Sequence, residues 1–331
     1  MTGVALSILD LAFVGPDETV AEGLAGCVEV ARLAEACGYR RVWYAEHHNM
    51  ATIASSATSV VIAHVAAHTH SIRLGSGGIM LPNHSPLTIA EQFGTLEALH
   101  PGRIDLGLGR APGTDQVTVR ALRRDPASAE HFPQDVLELQ AYLAGASRVP
   151  GVQAVPGHGS RVPLYILGSS QFGAELAGLL GLPFAFASHF APAALTQAVV
   201  LYRERFRPSA QCERPHVMAG INVVAADTDA AAEAQFALTR RARAKHFFAR
   251  GGAPLTDDEA DAVLASPQGA FVDQMLQHRA IGTPDTVARE LGAFAAFAGA
   301  DELMLVFQGT TVAERLRSVE LTAGAGVVAL A

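Results

Sequence analysis

Along almost the whole chain, short apolar runs alternate with longer amphipathic segments, and eight such strand–helix pairs can be counted. A strand followed by a helix returns parallel to the next strand, so a series of these units builds a parallel sheet covered by helices. Eight units are the number that close such a sheet into a ring. The expected fold is therefore α/β, a (β/α)8 TIM barrel, as a single domain over residues 1–331. Strands are expected at Val4–Leu11, Arg41–Ala45, Ile72–Leu81, Ile104–Leu108, Pro163–Leu167, Phe184–Ala187, Val217–Ala225 and Glu302–Phe307. Helices are expected at Asp17–Cys37 (stopping at Gly38), Ser59–Thr69, Pro86–Leu99, Pro133–Leu143, Gln171–Leu180, Pro192–Phe206, Thr228–Arg250, Pro284–Ala298 and Val312–Leu330. Three stretches interrupt the pattern. Residues 111–132, of mixed charge and no period, read as an excursion from the carboxyl-terminal rim. Residues 147–161, rich in Gly, Pro and Val, read as a small hairpin, and 251–282, with two adjacent glycines, Pro254 and Asp257-Asp258-Glu259, as a lid.

Composition narrows the classes. Half of the residues are hydrophobic and 17% are charged, which describes a large buried core and excludes global disorder. With 24 basic against 32 acidic side chains, a net charge of −8 and no cluster of Lys or Arg, nucleic acid is not an expected partner. The cysteines number three, and Cys27 and Cys37 fall on one expected helix, roughly 15 Å apart along its axis and out of disulfide reach. A reducing cytoplasm fits this usage. The start, Met1–Leu11, has no basic n-region and meets Asp10, Asp17 and Glu18 before any sustained apolar run, so no signal peptide is expected. Asn49–Ser71 is uncharged but too rich in Ser, Thr and His for a membrane span.

In a parallel barrel the carboxyl ends of the strands and the loops behind them form the site. Polar residues gather there: Asp10, Glu46-His47-His48, Asn83-His84, Arg110, Ser169-Ser170 and Ser188-His189. Singly, each serves as well for capping a helix or bridging a loop; their convergence on one rim is what points to function. Gly168-Ser169-Ser170 follows an apolar strand and opens a helix, so backbone N–H groups, the helix dipole and two hydroxyls are placed to surround a phosphate. A plain serine N-cap is the alternative. Arg110 adds a guanidinium able to grip phosphate oxygens. The run Gly107-Leu-Gly-Arg-Ala-Pro-Gly113 is not a dinucleotide fingerprint, because Pro112 takes the third glycine's place and no periodic helix follows directly. Gly77-Gly78 inside a strand fits either the close approach of a planar group or a bulge. His64 and His68 share a helix face, yet Val65 stands where a zincin has glutamate and no third ligand is evident, so no metal is expected. His47 and His48 are adjacent and point oppositely in extended chain, and a near-neutral imidazole can move protons.

Val42-Trp-Tyr-Ala-Glu-His-His48, Gly75-Ser-Gly-Gly-Ile-Met-Leu-Pro82 and Pro101-Gly-Arg-Ile-Asp-Leu-Gly-Leu-Gly-Arg110 resemble, in order and spacing, the bacterial luciferase-like flavin monooxygenases. The likeness continues through Leu167-Gly-Ser-Ser170 and Ile281-Gly-Thr-Pro284 and covers nearly the whole chain. Gly109-Arg-Ala-Pro-Gly-Thr-Asp115 and Ala185-Phe-Ala-Ser-His-Phe-Ala-Pro192 are similar to a subfamily that includes a luciferase-like oxygenase of mensacarcin polyketide biosynthesis, which implies a place in antibiotic biosynthesis. The resemblance implies reduced FMN from a separate flavin reductase, O2, a C4a-peroxyflavin, and epoxidation or hydroxylation of a small organic substrate such as an aromatic polyketide. It also implies a cytoplasmic homodimer. By motif position it implies His47 as catalytic histidine, Arg110 with Gly168, Ser169 and Ser170 as the phosphate site, and Gly77-Gly78 against the flavin ring. His48, His84 and His189 are the substrate-side candidates. Gly109 stands where luciferase has a reactive cysteine, so light emission is not implied, and a second phosphate arginine is replaced near His131. Related barrels use the deazaflavin F420 for hydride transfer, and others hold flavin without catalysis; both remain alternatives.

Overall fold

The structure, a computed structural model, describes residues 3–249 and 255–327. Nine strands form one parallel sheet: β1 (Ala5–Asp10), β2 (Arg41–Tyr44), β3 (Arg73–Met80), β4 (Ile104–Gly109), β5 (Leu164–Gly168), β6 (Phe184–Phe186), β7 (Val217–Ala225), β8 (Arg279–Gly282) and β9 (Glu302–Phe307). Their order is β6-β5-β4-β3-β2-β1-β9-β7-β8, and an additional β6–β7 pairing closes eight of them into a barrel. The ninth is β8. β7 is long enough to pair with β6 over Val217–Ala219 and with β8 over Asn222–Ala225, so β8 takes up the edge of β7 that β6 leaves free.

Alternation along the strands sorts the side chains. Leu6, Ile8, Val42, Leu74, Ile104, Leu106, Ile166 and Leu305 face outward into the main core beneath the helices. Leu9, Trp43, Tyr165, Met218 and Met304 form a separate cluster inside the ring. Each such side chain stabilises the fold by about 1.5–3 kcal/mol when fully buried. Helix Val20–Ala36 begins at a capping box in which Thr19 and Glu22 satisfy each other's backbone N–H groups. It ends ahead of Gly38, whose φ of +80° reverses the chain.

The floor of the barrel is ionic. Arg41, 1% exposed, donates from Nη1 to Asp105 Oδ2 at 2.6 Å and to the Tyr165 hydroxyl at 2.7 Å. Its Nε lies 2.8 Å from Glu302 Oε1 without hydrogen-bond alignment. Trp43 Nε1 and Arg73 also donate to Asp105, and Ser7 and His216 to Glu302. Burial alone would raise the Glu302 carboxyl, but the Arg41 charge and the bonds from His216 and Ser7 hold it down to about 2.

Three expectations change. Over its described part the stretch read as a lid folds into helices Asp257–Leu264 and Pro267–Met275 and strand β8; residues 251–254 lie outside the described residues. The first of these helices starts at a Thr256–Glu259 capping box, which the acidic run had masked as a loop signal. Residues 147–161 make turns and no hairpin, because the chain presses its backbone onto helix Pro86–Leu99 instead of pairing with itself: a Cβ on Gly94 would lie 2.1 Å from Gly157 Cα. The excursion at 111–132 contains helix Gln116–Ala121 and a 3-10 turn at Pro126–His131. Ends of the expected helices at Arg250 and at 328–330 fall outside the described residues.

Glu302→Gln should cost about 3–5 kcal/mol, since it strands a buried guanidinium. The folded carboxyl sits at about 2, below its ordinary value near 4.5, so its contribution is complete above about 4.5 and is lost as pH falls toward about 2. Urea midpoints measured across that window should therefore fall less steeply for Glu302→Gln than for the unaltered protein; parallel curves would contradict the assignment.

Candidate functional site

The carboxyl ends of β2, β3 and β4 meet around Glu46, which is 1% exposed. Its Oε1 accepts from His48 Nε2 at 2.9 Å and from His84 Nε2 at 2.9 Å, and its Oε2 accepts from the Met80 N–H at 3.0 Å. Asn83 Nδ2 adds a bond to Oε1 at 3.3 Å and another to the Pro112 carbonyl at 2.9 Å. Burial would raise this carboxyl, yet the bonds from His48, His84 and Met80 outweigh it and hold it at about 2. His48 and His84 each commit one ring nitrogen to this brace, so a ligand could meet only the other.

His47 takes no part in the Glu46 brace and has a different partner. Its Nδ1 lies 3.3 Å from the Gly113 carbonyl. Burial is the main cause that lowers its pKa, and the Arg243 charge adds to the effect, so the neutral ring is favoured. The loop after β4 is latched onto this segment through the Gly113 and Pro112 carbonyls and a Thr114 hydroxyl bond to the His48 carbonyl.

His189 follows β6 and lies beside β7. A Cβ on Gly220 would sit 2.4 Å from its Nδ1, so the glycine makes the seat for the ring. The Asn222 amide holds the His189 carbonyl at 2.7 Å and receives Gln308 Nε2 at 2.8 Å. Nδ1 is buried and has no hydrogen-bond partner. Burial, then the charges of Arg243 and His47, take this imidazole down to about 3.

Gly77 and Gly78 are joined by a cis peptide bond, and the β3–β4 register shifts between Ser76 and Ile79, a bulge. Both glycines are required by protein neighbours: a Cβ would lie 2.6 Å from Leu9 Cδ1 at Gly77 and 2.8 Å from the Gly107 carbonyl oxygen at Gly78. At Gly109 the space a side chain would need is held by Met80, whose Sδ would be 2.8 Å from a Cβ there.

Gly168-Ser169-Ser170 joins β5 to helix Gln171–Leu180. Ser170 has the extended backbone of an N-cap residue, but its side chain makes no capping bond, and no acidic residue stands in the first turn. The orphan amides at the helix start therefore lack the side-chain acceptor that ordinarily satisfies them. The Arg110 guanidinium lies 4.1 Å above the Phe172 ring in that first turn. Helix-start amides without a side-chain acceptor, two exposed hydroxyls and an arginine form a donor set of a kind that suits an anion. His131 is exposed at the entry to helix Phe132–Ala144, where its charged neighbour is Asp135.

The barrel thus collects His47, His48 and His84 around the β2 loop, His189 on the β7 side, and Arg110 with Ser169 and Ser170 on the β5 side. Sequence reasoning missed Arg243, Asn222 and Gln308. Arg243 had a signal: it continues the stripe Ala232, Phe236, Thr239 on helix Asp229–Phe248, a charge on the buried face. Among the described residues no group of His, Cys, Asp and Glu is arranged to hold a metal ion, and no helix is long and apolar enough to cross a membrane.

Residues 4–302 match the pattern of the family described as luciferase-like monooxygenase. A luciferase-like monooxygenase of Escherichia coli strain K12 is 47% identical over 96% of this chain and 96% of its own. The N-acetyl-S-alkylcysteine monooxygenase of Bacillus subtilis is 41% identical over 56% of this chain and 57% of its own. The solved structure of apo-MsnO8, a mensacarcin luciferase-like oxygenase, superposes with a TM-score of 0.89 at 35% identity, over 98% of this chain and 99% of that one. Two more distant structures share the fold alone. The oxygenating constituent of 3,6-diketocamphane monooxygenase from Pseudomonas putida, in complex with FMN, has a TM-score of 0.71 at 16% identity, over 99% of both chains. An F420-dependent secondary alcohol dehydrogenase has 0.72 at 15%, over 97% of this chain and 99% of that one. The ring of strands, the polar rim and these matches lead to one conclusion: the chain belongs to the luciferase-like monooxygenase family.

Proposed function

We propose that the protein is the oxygenase of a two-component system, taking reduced FMN from a separate flavin reductase and using O2 to epoxidise or hydroxylate a small organic substrate. The observation that carries this reading is the uncapped start of helix Gln171–Leu180 beneath Arg110, because an N-cap serine that leaves its amides open, next to a guanidinium with no carboxylate partner among the described residues, suits the phosphate tail of FMN. Reduced FMN, when bound, supplies the electrons that activate O2 and thereby the oxygen atom delivered to the substrate. Gly168, Ser169, Ser170 and Arg110 would hold its phosphate, and the bulge at Gly77-Gly78 would lie along its ring.

His47 is suited to proton transfer. With its hydrogen on Nδ1 it donates to the Gly113 carbonyl and keeps Nε2 as a neutral base. His48 and His84, braced on Glu46, and His189, seated on Gly220, would frame the substrate. An aromatic polyketide is one substrate class, by likeness to MsnO8; the name of the Bacillus subtilis relative adds thioethers. The same reading makes the protein a cytoplasmic homodimer.

The test is incubation with FMN, a flavin reductase, NADH and 18O2 over a panel of polyketides and thioethers, with 18O expected in one product. Preferential binding of F420 with O2-independent turnover, or retention of oxidised flavin with no oxygen activation, would overturn the reading. His47→Ala should keep the fold and FMN affinity and slow product formation by roughly 10²–10⁴-fold; unchanged turnover would remove His47 from the chemistry. Arg110→Ala should weaken FMN binding by about tenfold or more, followed by quenching of flavin fluorescence, whereas an unchanged affinity would move the phosphate elsewhere.

A further inference from the structure

Helix Asp229–Phe248 carries four cationic side chains in a row of six residues, Arg240, Arg241, Arg243 and Lys245. Three are paired. Arg240 donates to Asp273 at 2.8 and 3.0 Å, Arg241 to Asp261 at 2.8 and 2.7 Å, and Lys245 lies 2.6 Å from Asp257. All of these acids belong to helices Asp257–Leu264 and Pro267–Met275. Among the described residues Arg243 has no carboxylate within salt-bridge distance and no hydrogen-bond partner. It is half-buried, on the face that carries the buried Ala232, Phe236 and Thr239, and that helix packs against β7 and β8.

A guanidinium removed from water without a counter-charge is costly, so a protein that keeps one has a negative group to bring to it. The groups around it sharpen this. Its charge reaches His47 and His189, and burial favours the neutral form of both, so neither supplies it with a counter-charge. His246, one turn along, is the third imidazole its charge reaches. Glu46, the buried carboxylate that follows β2, is already taken by His48 and His84. Next to His189 in the chain stands Phe190, 46% exposed and edge-on to the imidazole at 5.0 Å between centroids. The buried Nδ1 of His189 adds a second polar atom without a protein partner.

We infer that Arg243, on the helix packed against β7 and β8, is the subsite for the carboxylate of the substrate, and that the substrate is an organic acid whose apolar part lies along Phe190. The inference rests on the oxygenase reading only for the word substrate. The subsite is on the β7 side and is separate from the Arg110 cradle on the β5 side, so the protein holds two anions by two arginines. A planar guanidinium grips a carboxylate through two parallel bonds, which a neutral amide cannot match.

The experiment uses matched pairs of acids and their carboxamides on aliphatic, aryl and thioether scaffolds, titrated calorimetrically into the full chain with and without FMN. Acids should bind about tenfold or more tightly than their amides. Arg243→Gln should abolish that preference while leaving the melting temperature at or above that of the unaltered protein, because no protein partner is lost. Arg110→Gln should leave the preference intact. The proposal is overturned if no acid binds, if amides bind as well as acids, if Arg243→Gln keeps the preference, or if Arg110→Gln removes it. Failure of FMN to bind while acids keep their advantage would sink the flavin reading and leave this subsite standing; FMN binding with no acid preference would do the reverse.

Discussion

A buried arginine clamped between two carboxylates sits under everything else in this barrel. Arg41 of β2 reaches Asp105 of β4 and Glu302 of β9, strands that are not its neighbours in the sheet. Each of the three charges is buried and would be costly alone, so the cluster favours only the closed arrangement in which all three are met. Trp43, Tyr165, Ser7 and His216 add hydrogen bonds to the cluster, which leaves the Arg41 Nε held by charge alone. With the floor tied across the ring, strand alternation decides which side chains reach the mouth at the opposite end.

The mouth divides into two electrostatic regions. Around β2 the negative charge of Glu46 is consumed by His48, His84 and the Met80 amide, which fixes the loop and leaves no free anion there. Elsewhere, among the described residues, are groups without a side-chain acceptor: the helix start at Ser170, Arg110 above Phe172, and Arg243. Between them His47 and His189 are kept neutral by burial. Satisfied carboxylates, imidazoles whose neutral form burial favours, and cations without a carboxylate among the described residues are the features on which the proposed anion binding and proton transfer rest.

The ring itself was legible because its strands are short, largely apolar runs of three to nine residues bounded by turn signals, and helices such as Pro86–Leu99 and Gln171–Leu180 fall where the periodicity puts them. β8 was not legible: Arg279–Gly282 has only Ala280 and Ile281 as apolar residues and follows an acidic, glycine-containing stretch. Its strand character comes from the free edge of β7, a tertiary cause. The turns at 147–161 looked like a hairpin because Gly, Pro and Val suit one, and the contact of Gly157 with Gly94 that prevents it joins residues far apart in sequence. At the rim the residue types were visible but their partners were not. Nothing local says that His48 and His84 share Glu46, that Ser170 leaves its helix uncapped, or that Gly220 exists to seat His189. Arg243 could have been noticed as a charge on an apolar stripe, but only the pairing of Arg240, Arg241 and Lys245 shows that it is left over.

A crystal structure of the protein soaked with FMN tests the central claim most directly. The account predicts the phosphate within hydrogen-bond reach of the Ser169 and Ser170 hydroxyls, the first amides of helix Gln171–Leu180 and the Arg110 guanidinium, with the ring along Gly77-Gly78. A phosphate bound at Arg243, or anywhere away from the start of that helix, would contradict it.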